Sequence, residues 1–594
     1  MWARGNGTKR SLGMATLALL LLALFATVSW GAPESAYLQG LRFGSQYRVQ
    51  VAANVEAMKA TGEARGVDYA QVLSVARERE TLAKDVLPQK ISWMRGVAEG
   101  AGVAYEDLLV YNTADRMMTG FVGECTTFIA HGKALAAGKG SLISKNRDLG
   151  ANVISEVARQ EGGTHEGDAI YQAAYIDIPQ VGRTYTFVGS RSAGRWGYGM
   201  GVNEHQVLVS DNDAPTRDEL AFDKGLHDND YVRLVLERAK TAREGVEILT
   251  KLTEQFGQAW NSIMFEIGDP NELWIVEISG KRWVARRCQD SYTARSNQFQ
   301  ITDDYELAAA DLIPFALSKG WISGDVKTIN FRAVYGGTTL YPDDNNNLET
   351  RPSAEILYNT EMRYLRAMEL LKGIEGKISP QTILPLARDH YDTYTLPSGK
   401  VLELKQVPFY STKYVDDLQE WRLDFPEKDT VEIPVFPRPI CHHAFEGITA
   451  STAVLVARPE VPNALGLMLH AHCQPCNSLY VPFYVGASAV DSRFESPEAG
   501  SRFMLISKMA FGAYGLYHDQ IRAVFDPYEA SLFAEMPSME KQYGELLAAG
   551  KADEAQVWLD EFSSKRWNEA YELAGSALER MIDTAASKSA WKKR

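Results

Sequence analysis

Cys125 stands in Gly123-Glu124-Cys125-Thr126-Thr127-Phe128, and a glycine-containing turn separates it from Ser141-Leu142-Ile143-Ser144-Lys145-Asn146-Arg147-Asp148. These residue types in this order are what a chain needs if the Glu124–Cys125 bond is cut and Cys125 becomes an N-terminus. Such a residue is a complete small catalyst, because its α-amine, with a pKa of about 7.7–8.0, can take the thiol proton and hand it to a leaving amine. The Asp148 carboxylate could hold that amine in place. The competing reading makes Cys125 a small buried apolar residue at the start of a strand, the ordinary state of a free cysteine.

Either reading needs two strands, over 126–130 and 141–145, and the rest of the pattern supplies their surroundings. Residues 35–115 read as helices, with apolar periodicity over 49–60, 69–87 and 91–99 and a break at Pro88. Strands are expected at 169–178, 183–189 and 206–210, two amphipathic helices over 230–255, then strands at 262–267, 273–278 and 282–287. Helix mixed with polar loop fills 302–423, strands return at 431–436, 452–457, 464–470 and 479–485, and the tail over 527–582 is helical. Strands, then helices, then strands predict an α+β sandwich of two antiparallel sheets with helices outside.

The chain has 594 residues, 45% of them hydrophobic, enough to bury a large core. Arg4, Lys9 and Arg10 precede an apolar run over 15–28 and the small residues of Ser29-Trp30-Gly31, the pattern of a secretory signal cut before Ala32. Losing it takes the net charge from −14 to −17, which argues against nucleic acid and for an exported soluble protein without stable membrane insertion. Five scattered cysteines do not form a disulfide framework, although Cys473-Gln474-Pro475-Cys476 could close locally. A strand pattern follows that motif, where a redox site would want a helix.

Cys441-His442-His443 with His470, His472, Cys473 and Cys476 has the chemistry of a zinc site but irregular spacing, and alternating strand residues account for it. No metal ligand is assigned from sequence. Asp343-Asp344-Asn345-Asn346-Asn347 lacks the glycine and glutamate of an EF-hand loop and reads as a solvated turn. Gly197-Tyr198-Gly199-Met200-Gly201 lacks the spacing of a phosphate cradle, and no serine-hydrolase or zinc-hydrolase motif is present.

The segment Trp93-Met94-Arg95-Gly96-Val97-Ala98-Glu99-Gly100-Ala101-Gly102, then Asp107-Leu108-Leu109-Val110-Tyr111-Asn112, then Gly123-Glu124-Cys125-Thr126, resembles the pro-segment and cleavage junction of the isopenicillin N acyltransferase-like family. Gly201-Val202-Asn203-Glu204, Asp269-Pro270-Asn271-Glu272-Leu273-Trp274, Ser296-Asn297-Gln298-Phe299 and Val481-Pro482-Phe483-Tyr484-Val485-Gly486 resemble the N-terminal-nucleophile (Ntn) dipeptidases. Both are Ntn cysteine hydrolases. The resemblance implies a four-layer αββα sandwich and self-cleavage between Glu124 and Cys125. It divides the chain into a signal peptide (1–31), a helical pro-segment (32–124), the core (125–526) and a helical tail (527–594).

By the same resemblance, Cys125 is the nucleophile and Asp148 positions its amine. Asn297 and Asn203 donate to the oxyanion, and Arg332 is an active-site arginine. Lys145 stands where many relatives have Arg, which keeps the charge of a substrate-binding group without the fork. The implied function is an exported amidohydrolase that matures by autoproteolysis and cleaves small peptides or N-acyl amides without cofactor. Acyl transfer through the same thioester and a non-catalytic scaffold role remain the alternatives.

Overall fold

The computed structural model describes residues 36–591 except 47, 65, 87, 114–123, 151, 215, 219–223, 260–261, 337–353, 391–392, 396–400, 404–411, 416–419, 424–438, 444–446 and 512–513. The expected leader, the 343–347 turn and the strand at 431–436 lie outside the described residues.

Among the described residues, fourteen strands build two facing sheets: β1 Glu124–His131, β2 Ser141–Gly150, β3 Ser155–Gln160, β4 Phe187–Ser192, β5 Met200–Asn203, β6 Leu208–Ala214, β7 Ser262–Gly268, β8 Leu273–Ser279, β9 Arg282–Arg287, β10 Tyr292–Arg295, β11 Leu307–Ala308, β12 Gly447–Ala457, β13 Leu467–His472 and β14 Val481–Tyr484. The first sheet has the order β10-β1-β2-β12-β13-β14 and the second β11-β9-β8-β7-β6-β5-β4-β3, antiparallel throughout. β7 and β8 are buried along their whole length, as strands covered on both faces must be. The expected strand over 169–178 is instead a small hairpin, Ile170–Gln172 with Asp177–Pro179, outside both sheets. Asp230 accepts from Tyr171 Oη and the Ala174 N–H at 3.2 and 2.8 Å, and this anchors the hairpin's turn.

Among the described residues the first elements are five helices: α1 Ala36–Gln46, α2 Arg48–Ala64, α3 Tyr69–Val86, α4 Pro88–Ala101 and α5 Tyr105–Thr113. They enclose a core of their own, with Val55, Met58, Val72, Met94, Val97 and Leu109 buried. α1 and α4 cross in close contact because Gly40 and Gly44 face Gly96 and Gly100, where any Cβ would collide with the opposing backbone. Buried Glu80 accepts from Arg77, Arg95 and Tyr105 at 2.8–2.9 Å and ties three of these helices together. Arg195 donates to the Tyr111 carbonyl at 2.9 Å and joins this bundle to the sandwich.

α6 Asp228–Arg238 and α7 Ala242–Phe256 cover the second sheet. α7 begins where Thr241 accepts from the Glu244 N–H, buries Ala242, Val246 and Leu249 on one stripe, and stops at Gly257 with φ 79°. α8 Leu312–Ser318 and α9 Phe331–Tyr335 are short. The other face of the first sheet carries α10 Ala354–Gly373, α11 Pro380–Ala387, α12 Pro497–Phe511 and α14 Ala552–Trp591, with α13 Tyr514–Ala548 paired to α14. The layers are αββα. Among the described residues no helix is long and apolar enough to cross a membrane.

Candidate active site

Cys125 lies near the start of β1, one residue after its first member, and pairs across the ladder with Arg147 on β2. Directly opposed residues of an antiparallel pair face the same way, so contacts made by the neighbours reveal where the thiol sits. Lys145 and Arg147 reach residues of the second sheet and its connections, and Thr127 donates to Asn212 Oδ1 at 2.7 Å. Cys125 therefore faces the space between the sheets. Thr126, of opposite parity, faces α10.

The backbone of Cys125 is held by two long-range bonds. Its N–H donates to Asn297 Oδ1 at 2.7 Å, and its carbonyl accepts from Arg363 Nη1 at 2.6 Å. Arg363 also donates to Asn297 Oδ1 and Thr126 Oγ1, both at 2.9 Å. Asn297 Nδ2 donates to the Asp213 carbonyl at 2.9 Å. Turning the Asn297 amide over would set its NH2 against two N–H donors and its oxygen against a carbonyl, so the surroundings fix its orientation. Arg295, fully buried two residues earlier, donates to Glu277 and, at 2.8 Å, to Gln300 Oε1, which pins the segment carrying Asn297.

Charge around the thiol is concentrated in one buried pair. Lys145 donates to Asp211 and, at 3.2 Å, to the Gly199 carbonyl. A Cβ at Gly199 would lie 2.7 Å from Arg147 Nε, so the glycine-rich stretch permits close packing here. Burial pushes the Cys125 thiol up to about 12; Lys145 opposes this, and Asp148, Asp211 and Asp213 add to it. Burial likewise lifts Asp211 to about 6 against the pull of Lys145. Burial opposes the Lys145 charge, but Asp211 together with Cys125 holds the ammonium above its usual pKa. The thiol of the uncut chain, pushed up by burial, keeps its proton at neutral pH.

Asp148 pairs with Glu124 across the ladder, and its Oδ1 accepts from Thr449 Oγ1 at 2.6 Å, beside an irregularity between β2 and β12. It is close enough to act on the thiol's charge. Asn203 ends β5 and gives both amide protons to the Leu236 and Ala239 carbonyls at 2.9 and 2.7 Å, while its oxygen accepts from the His205 and Val207 N–H groups. It ties the β5–β6 turn to the end of α6, and its two amide protons are committed there rather than to an oxyanion. Arg332 sits on α9, where its N–H donates to the Ile301 carbonyl at 2.9 Å. The arginine that touches the Cys125 backbone is Arg363.

Chemically, the arrangement holds a thiol beside the bond that would free its own amine, with an acceptor already on the nitrogen. The family model of peptidase family C69 matches residues 124–509, nearly two thirds of the chain, and begins at the residue before that thiol. The chain belongs to peptidase family C69. It is accordingly a cysteine-type peptidase. A dipeptidase of Bifidobacterium longum (strain NCC 2705) is 30% identical over 213 residues, covering 31% of this chain and 39% of that protein. The match thus spans about two fifths of that relative's length. A probable dipeptidase of Salmonella dublin is 23% identical over 390 residues, 62% of this chain and 82% of the relative. Among solved structures, penicillin V acylase from Agrobacterium tumefaciens is 12% identical with a TM-score of 0.30, over 61% of this chain and 86% of that one. A variant of conjugated bile acid hydrolase from Clostridium perfringens is 9% identical with a TM-score of 0.31, over 61% and 92%.

Arg363 escaped the sequence reading of this C69 member. Its signal is an arginine in the apolar stripe of a helix: Thr360, Arg363, Ala367 and Leu371 are all fully buried on α10. A buried guanidinium requires acceptors, and here they are the oxygens of residues 125, 126 and 297.

Proposed function

We propose that the protein is exported, cuts its own Glu124–Cys125 bond, and then hydrolyses small linear peptides as a dipeptidase. The Cys125 thiol adds to the Glu124 carbonyl carbon, the carbon–nitrogen bond breaks as the nitrogen takes a proton, and a thioester remains. Water hydrolyses the thioester, releasing the Glu124 carboxylate and the free thiol. In the mature enzyme the new α-amine accepts the thiol proton as sulfur attacks a substrate carbonyl, then gives it to the departing amine. Asn297 Oδ1 holds that amine and Arg363 holds the carbonyl of the same residue. Asp148 supplies negative charge nearby that favours the protonated amine.

The observation that carries this reading is the acceptor on the Cys125 nitrogen, locked in place by Arg363 and Asp213 before any amine exists. The dipeptidase preference draws on the relatives of that name. Intact mass and Edman sequencing of purified protein test it. Expected are a fragment beginning at Cys125 in the native protein and uncut, inactive material for Cys125→Ala. Active protein that retains residues upstream of Cys125 in the same chain overturns it.

A further inference from the structure

A second cluster of reactive side chains lies outside the nucleophile site. His390 follows α11, Cys441 and His443 lie just before β12, and Cys476 sits in the single turn Pro475–Asn477 between β13 and β14. One donor atom from each lies within 4.8 Å of the others. His443 Nε2 is 3.4 Å from Cys441 Sγ and 3.2 Å from Cys476 Sγ. A tetrahedral zinc with Zn–S of about 2.3 Å and Zn–N of about 2.0–2.1 Å holds sulfur and nitrogen roughly 3.5 Å apart. The spacing already suits an ion at the centre.

We propose that His390, Cys441, His443 and Cys476 bind a structural zinc ion. Two thiolates and two neutral imidazoles cancel the charge of a divalent ion, which suits a place where Cys441, His443 and Cys476 are buried. Sulfur and imidazole ligands disfavour calcium and magnesium, and a tetrahedral S2N2 set suits zinc. The outer groups are organised as well. The Cys441 N–H donates to the Asp389 carbonyl at 3.1 Å, and Arg366 clamps the Asp389 carboxylate at 3.0 and 2.7 Å. The His390 and His443 rings meet edge to face at 5.0 Å.

The ion joins segments far apart in sequence immediately behind Asp148. The His442 N–H donates to Thr449 Oγ1 at 2.8 Å, and Thr449 Oγ1 donates to Asp148 at 2.6 Å. The site therefore fixes the segment that aims this carboxylate. His470, His472 and Cys473, grouped with Cys441 in sequence, have other partners. His470 and His472 pair with Ser190 and Ser155 of the second sheet at 2.9 and 3.0 Å, and Cys473 Sγ packs 4.0 Å from Met504 Sδ.

Full-length protein purified without chelator would be assayed for metal by plasma mass spectrometry and, after zinc removal, titrated with cobalt(II). Expected are roughly one zinc per chain, a cobalt–thiolate charge-transfer band with tetrahedral d–d absorption, and loss of both in Cys441→Ser and Cys476→Ser. Chelation should also lower Tm. Zinc content unchanged in both serine variants overturns the proposal, as does a Cys441–Cys476 disulfide in an unreduced peptide map. Should the variants not fold, the cobalt titration of the unaltered chain decides: absence of the thiolate band overturns the proposal.

Discussion

Arg363 lies 238 residues beyond Cys125 in the chain, yet its guanidinium donates to the Cys125 carbonyl oxygen at 2.6 Å. The same group reaches Asn297 Oδ1, so one cation holds both the nucleophile's backbone and the acceptor of its nitrogen. A lysine would keep the charge and lose the fork. Arg363→Lys should slow self-cleavage about 10- to 100-fold, the equivalent of one charge-assisted hydrogen bond of about 1.5–3 kcal/mol. Time courses of fragment appearance at 25 °C would measure it.

Asn297→Ala strips the acceptor from the Cys125 N–H and leaves a buried donor unpaired, at a cost of about 1–3 kcal/mol. Processing should fail or slow sharply while the fold survives. Mass spectrometry of the purified variant together with its thermal unfolding curve separates these effects. An Asn297→Ala protein that matures at the native rate would remove the residue from the site.

Lys145 and Asp211 are both buried, and removing one strands the other. Lys145→Met alone should cost about 3–5 kcal/mol, whereas Lys145→Met with Asp211→Leu should be close to neutral for stability. Activity should not return with stability, because the Lys145 ammonium is the charge that restrains the rise of the Cys125 thiol pKa. Denaturant melts and iodoacetamide labelling of Cys125 across pH would follow the two effects separately.

Burial holds the His472 imidazole down to about 3 and His470 well below its usual range, where the neighbouring His472 adds to the effect. Both are neutral in the folded protein, while the unfolded chain takes up their protons near about 6.5. Below that pH the unfolded state binds more protons, so stability is lost as pH falls from about 6.5 towards 3. Each histidine costs up to about 1.4 kcal/mol per pH unit in that window. Urea unfolding at pH 7 and pH 5 should differ accordingly, and His472→Gln should flatten the slope.

The sandwich was legible because its strands are short and turn-bounded and its covering helices strongly periodic, as in α7. The hairpin of β1 and β2 could be read from two apolar stretches around a glycine turn. What periodicity conceals is partnership. Asn203 looks like a donor in sequence, but the carbonyls at the end of α6 take its protons. Arg332 and Arg363 are both arginines near helix starts or stripes, and only packing decides which one meets the oxygens of β1. The cluster of His390 with Cys441, His443 and Cys476 joins positions that no local spacing rule connects.

β1 is bonded on both sides, to β2 from Glu124 onward and to β10 from Thr127 onward. A chain end created at Cys125 by the proposed cleavage would therefore start already paired with β2 and two residues before the pairing with β10 begins. With the proposed cleavage, the freedom that a terminus normally keeps would already be surrendered on folding, and none of it would have to be given up again when substrate arrives.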